Sequence, residues 1–457
     1  MFDLIVIGGG PGGYAAAEYA AHQGMQVALV ERNRLGGTCL HRGCVPTKAY
    51  LHAAETVHAA TAFAPDALAR FDRSAMLLHK DSLVEKLAGG IGMLMKTAKV
   101  TVINGHGKLL DSTSPFAVQM NAEDGAAQTI TAKQVLVATG SKPARLPVKG
   151  CDDPAVLTSD ELLSAPGAED FTSLLIIGGG VIGVEMACVY ARLGVTVTIV
   201  EAEARLLPMM DIDLGRSIEA QLKSMGVVIH TGAMLQHITK DDAAFSAAVE
   251  KNAALMTLQA ERVLLATGRM PVTDGLFAQT IEPQMNRRYI AVDAHYQTSI
   301  PGVYAIGDVN GIWQLAHAAH AQGIAAVSHM LGVPSPMDAS LVPSCVYTQP
   351  EIASIGLTQT QAVEQSIPVT IGKALTTQNA RNLIEGLGRG FIKLVFHQQT
   401  RKLLGAQLFC GRATDLVGEL TLAIQSGLTA QQLLLPLRAH PTFEESITDA
   451  VLAAKFG

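Results

Sequence analysis

Leu4-Ile-Val-Ile-Gly-Gly-Gly10 and Leu174-Leu-Ile-Ile-Gly-Gly-Gly180 are near copies of one another within a single chain. Each runs on as Gly-x-Gly-x-x-Gly, at Gly8, Gly10 and Gly13 and again at Gly178, Gly180 and Gly183. A helical pattern follows each, beginning Pro11-Gly12 in the first copy and Val181-Ile182 in the second. An apolar, β-branched run then ends in an acid, Val27–Glu31 and Val195–Glu201, and the last glycine precedes that acid by 18 residues in both copies. One such glycine turn is a weak signal. Two in the same strand–turn–helix–strand–acid context indicate two dinucleotide-binding units. The first glycine permits the tight turn, the second lets a pyrophosphate approach the backbone, and the third lets helix and strand pack closely. The phosphate then rests on the helix N-terminus. Glu31 and Glu201 are expected to accept from ribose hydroxyls. A carboxylate at Glu201 also repels a 2′-phosphate and favours NAD over NADP, while Arg205 nearby is expected to blur that preference. The bland alternative is a glycine-rich turn that binds nothing, and the repeat weighs against it.

A second echo organises the rest. Val135-Leu-Val-Ala-Thr-Gly140-Ser and Val263-Leu-Leu-Ala-Thr-Gly268-Arg each read as a buried strand closing on a glycine turn. Residues 146–272 are therefore expected to form one nucleotide domain, inserted into another that covers 1–145 and resumes over 273–340. The resumption carries Gly302-Val-Tyr-Ala-Ile-Gly-Asp308, a strand ending in an acid. Residues 50–100 read mainly as helix, broken at Ala64-Pro65. From 341 to 457 the texture changes. Alternating runs at 390–396 and 403–409 predict an antiparallel sheet, with amphipathic helices near 415–427 and 444–455 to cover it. The fold class is α/β, with two Rossmann-like dinucleotide-binding domains and a C-terminal α+β domain. A length of 457 residues fits about three domains at roughly 150 residues each.

The charge balance narrows the partners. Formal net charge is −6 and no Lys/Arg block stands out, which argues against nucleic acid and anionic membranes. No run approaches the ~20 apolar residues that span a bilayer. The first strand is expected from residue 3, which leaves no room for a leader segment and predicts a cytoplasmic protein. Such a chain keeps structural disulfides rarely, so a persistent cysteine pair there is usually catalytic.

Of six cysteines, Cys39 and Cys44 stand together in Gly36-Gly-Thr-Cys-Leu-His-Arg-Gly-Cys-Val-Pro-Thr-Lys48. The other four, Cys151, Cys188, Cys345 and Cys410, are scattered and read as buried small hydrophobes. Five residues of regular helix rise about 7.5 Å, more than the ~6.8 Å that disulfide Cα atoms tolerate. A bridge therefore requires a bend, for which Gly43 and Pro46 supply freedom and punctuation. A helix start at this point lowers a thiol pKa, and His41 and Arg42 add positive charge. Metal ligation and inert core thiols are the competing readings; the first lacks a second cysteine pair at ligand spacing. Near the C-terminus, His440-Pro-Thr-Phe-Glu-Glu445-Ser offers an imidazole with an orienting carboxylate. Thiol–disulfide exchange needs such a base and acid, although a histidine before Pro-Thr is also a common loop residue.

Together these segments resemble the pyridine nucleotide–disulfide oxidoreductases, and within them the branch that oxidises dihydrolipoyl groups. The likeness runs through GGGPGG (8–13), GGTCLHRGCVPTK (36–48), GGGVIGVE (178–185), GVYAIGD (302–308), YTQPEIASIGLT (347–358) and HPTFEES (440–446), in family order. It implies FAD on the first cradle and NAD on the second. It implies that Cys39 is the thiol exchanging with substrate and Cys44 the thiol touching the flavin, with Lys48 and Glu185 paired beside it. Further FAD contacts are implied at Thr38, Gly107, Thr139, Gly140, Ser141, Asp308, Gln314, Leu315, Ala316 and His317, and Gly268 falls on the nicotinamide side. The resemblance makes His440 and Glu445 an acid–base dyad supplied by the partner subunit of a homodimer with shared active sites. Glu201, Leu315-Ala-His317 and Pro350-Glu351 point to the dihydrolipoyl branch rather than the glutathione-reducing one. Two departures, His41-Arg42 in place of Asn-Val and Arg438 in place of a second histidine, are expected near the thiol substrate. The implied activity is oxidation of protein-bound dihydrolipoamide with NAD⁺. The implied partners are lipoyl domains of a 2-oxoacid or acetoin dehydrogenase complex, or a glycine-cleavage lipoyl carrier. The alternatives are an NAD(P)H-dependent reductase of another small disulfide and a non-catalytic flavin-binding redox sensor.

Overall fold

The structure, a computed structural model, describes residues 1–121, 127–164, 170–241 and 244–456. The repeat in the sequence is a repeat in space. Strand Phe2–Ile7 lies parallel between Val27–Glu31 and the C-terminal half of Ala127–Val137, with Thr101–Asn104 outside Val27–Glu31. Strand Ser173–Ile177 lies in the same way between Thr196–Glu201 and Arg262–Leu265, with Val228–Thr231 outside. Helices Pro11–His22 and Val181–Arg192 make the first crossover of each unit. The outer neighbours correspond as well. Val303–Ala305 adds to the first sheet beside Ala127–Val137, and Leu157–Thr158 adds to the second beside Arg262–Leu265. A strand at residues 303–305, some 300 residues further along, thus completes the sheet that residue 2 begins.

Side chains alternate across a strand, and here both faces are covered. Leu4 and Val6 pack with Ala16, Ala20 and Val327 on the helical side, and Ile5 and Ile7 with Leu109, Phe116 and Val303 on the other. That two-sided burial is why the strand reads as a continuous apolar run. The helical reading of residues 50–100 resolves into Cys44–Ala60 and Arg73–Thr97, with the chain turning between them.

The C-terminal part is a five-stranded antiparallel sheet in which Phe391–His397 pairs with Leu403–Cys410. Both strands are buried nearly throughout, rather than alternately exposed. Ile392, Leu394 and Phe396 face helices Ala413–Gln425 and Glu445–Leu452. Phe391 and Phe409 pack on the other face into the cluster that holds Tyr50 and Tyr190. The sheet is thereby fastened to the helix that starts at Cys44. A second fastening is ionic: Lys393 Nζ lies 2.8 Å from Asp211, both almost fully buried, and 3.1 Å from Asp213, which also takes Lys373 at 2.8 Å. Among the described residues, no helix is long and apolar enough to cross a membrane.

Candidate active site

The two glycine turns superimpose in detail. Gly8 and Gly178 have φ of 109° and 112°, and a Cβ on either would sit 2.3 or 2.4 Å from the carbonyl oxygen of Ala138 or Ala266. A Cβ on Gly13 or Gly183 would lie about as close to the Gly8 or Gly178 oxygen, at 1.9 and 2.0 Å. These positions serve the turn itself. Gly10 and Gly180 differ, because a Cβ there meets no protein atom within 4 Å. Each is the N-cap of its helix, so unpaired backbone N–H groups point into open space. Gly12 lines the cavity and is also where helix Pro11–His22 touches Ala316–Met330, since a Cβ would come 2.9 Å from the Ala319 oxygen.

The acids are engaged in the turns. Glu31 accepts from the Gly9 N–H at 2.7 Å and the Asn33 N–H at 2.8 Å; Glu201 accepts from Gly179 at 2.6 Å and Glu203 at 2.7 Å. Each carboxylate thus clamps the turn to the strand end before any ligand arrives; Glu31 also lines the large cavity, whereas Glu201 does not. Arg205 corrects an expectation. Its guanidinium donates to the carbonyls of Leu207, Pro208 and Met210 at 2.9, 2.6 and 2.7 Å, so it braces the loop 207–210 rather than waiting for a phosphate.

Both cradles open into one cavity of about 1430 Å³. That exceeds the ~300–1,000 Å³ of an ordinary small-molecule site and suits two dinucleotides end to end. Gly8, Gly10, Pro11, Gly12, Glu31, Thr38, Gly107, Thr139, Gly140, Ser141, Asp308 and Gln314 to His317 line it from the first unit, and Gly180, Val181, Ile182 and Gly268 from the second. The open space at Gly10 and Gly180, the helix N-termini and the acids at the strand ends fit FAD and NAD. Helix Ala316–Met330 adds another N-terminus, and His317 is held through its Nε2 to the Pro343 carbonyl at 2.8 Å. Ser141 donates to Asp308 while accepting from Arg269 at 2.7 Å, and burial raises the Asp308 pKa.

Cys39, Cys44, Lys48 and Glu185 meet on the wall of this cavity. Helix Gly37–Arg42 ends at Gly43, whose φ/ψ of −143°/−113° breaks it, and a new helix begins at Cys44. The break brings the sulfurs together, and Cys39 hydrogen-bonds Cys44. That bond, the nearby Lys48 and the N–H groups of the helix start outweigh burial and the Glu185 charge. Together they pull the Cys44 thiol down to about 7. Cys39 moves the other way, because it keeps the proton that it donates to Cys44. The two thiols are thus poised asymmetrically, Cys44 being the one that ionises first.

Lys48 Nζ reaches both oxygens of the nearly buried Glu185, at 3.0 and 3.1 Å, and sits 4.4 Å from the centre of the Tyr347 ring. The Tyr347 N–H donates to Glu185 at 2.9 Å. Cys345 departs from the reading of a buried hydrophobe. It is only half-buried and lines the cavity, where burial pushes its thiol up to about 11 and keeps it protonated. Cys151, Cys188 and Cys410 are buried as expected. Among the described residues, no three His, Cys, Asp or Glu side chains gather as a ligand set, so the metal reading of the cysteine pair finds no further ligands.

His440 Nδ1 lies 2.9 Å from Glu445, which also accepts from the Thr442 N–H at 2.9 Å. The imidazole is 72% exposed, and neither residue lines the cavity, so within one chain the dyad and the thiols are apart. Arg438 corrects a second expectation. Its side chain is almost fully buried and donates to Glu419 at 2.5 Å, Thr448 at 2.9 Å and the Leu433 carbonyl at 3.1 Å, so it supports the loop that carries His440 instead of facing a substrate. His41 donates through Nε2 to the Leu35 carbonyl, 2.8 Å away, holding the segment before Cys39. Two residues at or near this site escaped the sequence reading. Tyr14 is half-buried on the first helix, and burial raises its phenol pKa. Trp313, the only tryptophan, lines the cavity beside Gln314.

The chain is similar to known proteins in sequence and in fold. Residues 2–323 match the sequence pattern of the pyridine nucleotide-disulphide oxidoreductases, and residues 342–451 match that family's dimerisation domain. The chain is 37% identical over 465 residues to a dihydrolipoyl dehydrogenase of Bacillus subtilis, covering 99% of this chain and 98% of that one. It is 37% identical over 462 residues to the dihydrolipoyl dehydrogenase of Chlorobaculum tepidum, covering 99% and 97%. Among solved structures, LpdA from Mycobacterium tuberculosis is similar with a TM-score of 0.90 at 29% identity, covering 98% of this chain and 99% of that one. The HOCl-induced flavoprotein disulfide reductase RclA from Escherichia coli is similar with a TM-score of 0.88 at 26% identity, covering 99% and 100%.

Proposed function

Because the chain belongs to the pyridine nucleotide-disulphide oxidoreductases, we propose that it oxidises protein-bound dihydrolipoyl groups at the Cys39–Cys44 pair and delivers the electrons to NAD⁺. It is an FAD- and NAD-dependent oxidoreductase with a dimerisation domain at its C-terminal end. The observation that carries the proposal is the placing of Cys39 and Cys44 side by side on the wall of the cavity that both cradles share, with the Lys48–Glu185 ion pair at 3.0 Å on the same wall.

The chemistry of the chain's own residues follows from that placing. In the oxidised state Cys39 and Cys44 form a disulfide. His440, supplied by a second copy of the chain and oriented by Glu445, takes the proton from one substrate thiol. The resulting thiolate attacks the Cys39 sulfur, a mixed disulfide forms, and Cys44 leaves as the thiolate that Lys48 and the helix start stabilise. Once the imidazole has passed that first proton to solvent, the second substrate thiol gives its own proton to the dyad and its sulfur attacks its neighbour in the mixed disulfide. The cyclic disulfide departs, and Cys39 takes a proton. Two electrons have then passed from the substrate to the pair. FAD bound in the first cradle supplies the two-electron carrier between the pair and the nicotinamide. The balance is dihydrolipoyl plus NAD⁺ giving lipoyl plus NADH and one proton.

In the same reading the FAD domain comprises 1–145 and 273–340, the NAD domain 146–272, and the interface domain 341–457. The partners are lipoyl domains of a 2-oxoacid or acetoin dehydrogenase complex or a glycine-cleavage carrier, met in the cytoplasm by a homodimer with shared sites. Steady-state assays with dihydrolipoamide and NAD⁺ test the substrate. Turnover of ~10 s⁻¹ or more, the ordinary range for enzymes, and its near-complete loss in His440→Ala are expected. Negligible NAD⁺ reduction alongside rapid NADPH-driven reduction of another small disulfide would assign the chain to the other reading.

A further inference from the structure

Arg42 lies between the two cysteines, at the end of helix Gly37–Arg42. Its Nη1 is 3.5 Å from Oδ2 of Asp160, in the first turn of the short helix Ser159–Leu162 that follows an edge strand of the second sheet. Both residues line the large cavity, so the pair joins the thiol segment to the second nucleotide unit across that wall. Arg42 is half-exposed, with side-chain exposure of 46%, and Asp160 is mostly buried at 20%. The other carboxylate oxygen, Oδ1, is buried and accepts no hydrogen bond. Burial raises the Asp160 pKa, and Arg42 is the first charge that opposes it, followed by Arg269. Arg269 itself is committed to the hydroxyl and carbonyl of Ser141. Among the described residues, Arg42 is the cation within ion-pair distance of Asp160.

A pair this loose and half-exposed stabilises the fold very little, and a buried carboxylate oxygen without a donor opposes folding. Its position is informative for another reason. Arg42 is two residues from Cys44 and three from Cys39, so an uncompensated guanidinium there adds to the positive field of Lys48 and the helix start. A carboxylate anchoring it elsewhere cancels that addition. We propose that Asp160 is a positioning residue for the dithiol: by holding Arg42 against the second nucleotide unit, it keeps the guanidinium from the sulfurs and limits how readily Cys44 ionises. This rests on the dithiol reading given above. The charged and titratable groups that face Cys44 are Cys39 from the preceding helix, Lys48 from its own, Glu185 from Val181–Arg192, and Tyr347. Those that face Asp160 are Arg42, Arg269 and Glu161.

The test is the pH profile of Cys44 alkylation by iodoacetamide, read site by site by mass spectrometry on the reduced, FAD-loaded full chain. A unit charge roughly 8 Å away at an effective dielectric of about 40 moves a pKa by roughly 0.8 unit. Asp160→Asn is therefore expected to lower the half-point by about half to one unit, and Asp160→Glu to restore it. The double variant Arg42→Gln/Asp160→Asn is expected to return within about 0.3 unit of the parent, because the effect runs through Arg42. Asp160→Ser stands in should the asparagine variant fail to fold, with the same shift expected. A folded variant with an unmoved half-point, or a shift that survives removal of Arg42, overturns the proposal. A parent protein whose Cys44 titrates like a free thiol overturns it together with the dithiol reading, a different result from an Asp160 variant alone being silent.

Discussion

Replacing Gly180 by alanine separates binding from folding, and the structure sets the magnitudes. The φ/ψ of −76° and −171° is open to any L-residue, and the new Cβ meets no protein atom within 4 Å. The loss of stability is that of an N-cap changed from glycine to alanine, within ~1 kcal/mol. That corresponds to a fall of at most about 4 °C in Tm. A bound pyrophosphate approaches through this same open space. A methyl group held on a helix N-terminus there displaces the phosphate from its N–H donors, several charge-assisted bonds at roughly 1.5–3 kcal/mol each. NADH affinity should drop by about 100-fold or more, with FAD content unchanged. Gly10→Ala should do the reverse, losing FAD. Gly183→Ala is the contrasting control, since its Cβ would lie 2.0 Å from the Gly178 oxygen, a backbone atom that cannot swing aside. It should cost stability by about 1–3 kcal/mol or more. Scanning fluorimetry, flavin absorbance and calorimetric NADH titration read the three quantities. A folded Gly180→Ala protein that binds NADH within threefold of the parent, or that loses FAD instead, refutes the assignment of the cradles.

Other consequences concern charges. Cys44 should alkylate with a half-point near pH 7, the thiolate being populated as pH rises through that value. Lys48→Met should raise the half-point by about one unit, the direction expected when a stabilising cation is removed. Arg205→Ala frees three carbonyls of the loop 207–210. It should raise the NADH KM about tenfold without improving NADPH, and a selective change in NADPH use would mean that the arginine does meet the 2′-position. Lys393→Met leaves Asp211 charged and buried without its partner. Chemical denaturation should show a loss of about 3–5 kcal/mol.

The parts of this protein that could be read from the chain are those that a short segment dictates alone. The two glycine turns and the strands entering them are local, and so is the break at Gly43 between the cysteines. The five buried residues of Val27–Glu31 announce themselves through apolarity. The partners that a side chain chooses, whether within its own loop or across long sequence distance, could not be read in this way. Nothing near residue 205 reveals that its guanidinium turns back on its own loop, or that Arg438 is consumed by Glu419 and Thr448. Asp160 looks like an ordinary helix-start acid until Arg42, more than a hundred residues earlier, appears beside it. Cys345 resembles the three buried cysteines in sequence, and only the sheet edge that carries it sets it on the cavity wall. The strands of the C-terminal sheet read as alternating, yet are buried on both faces, because the second face is covered by residues as distant as Tyr50 and Tyr190. The dyad at His440 and Glu445 is plain in both sequence and structure, but a single chain leaves it remote from the thiols.

The most direct measurement of electron flow between a nicotinamide nucleotide and these two sulfurs is anaerobic. The air-oxidised, FAD-loaded protein is treated with one equivalent of NADH, quenched with an alkylating reagent and mapped by mass spectrometry. The expected result is a Cys39–Cys44 disulfide before addition and two alkylated sulfurs, at Cys39 and Cys44, after it. The other four cysteines should not change. Thiols at 39 and 44 that are already free in the oxidised protein, or a disulfide there that NADH leaves intact, would contradict the proposed function at its centre.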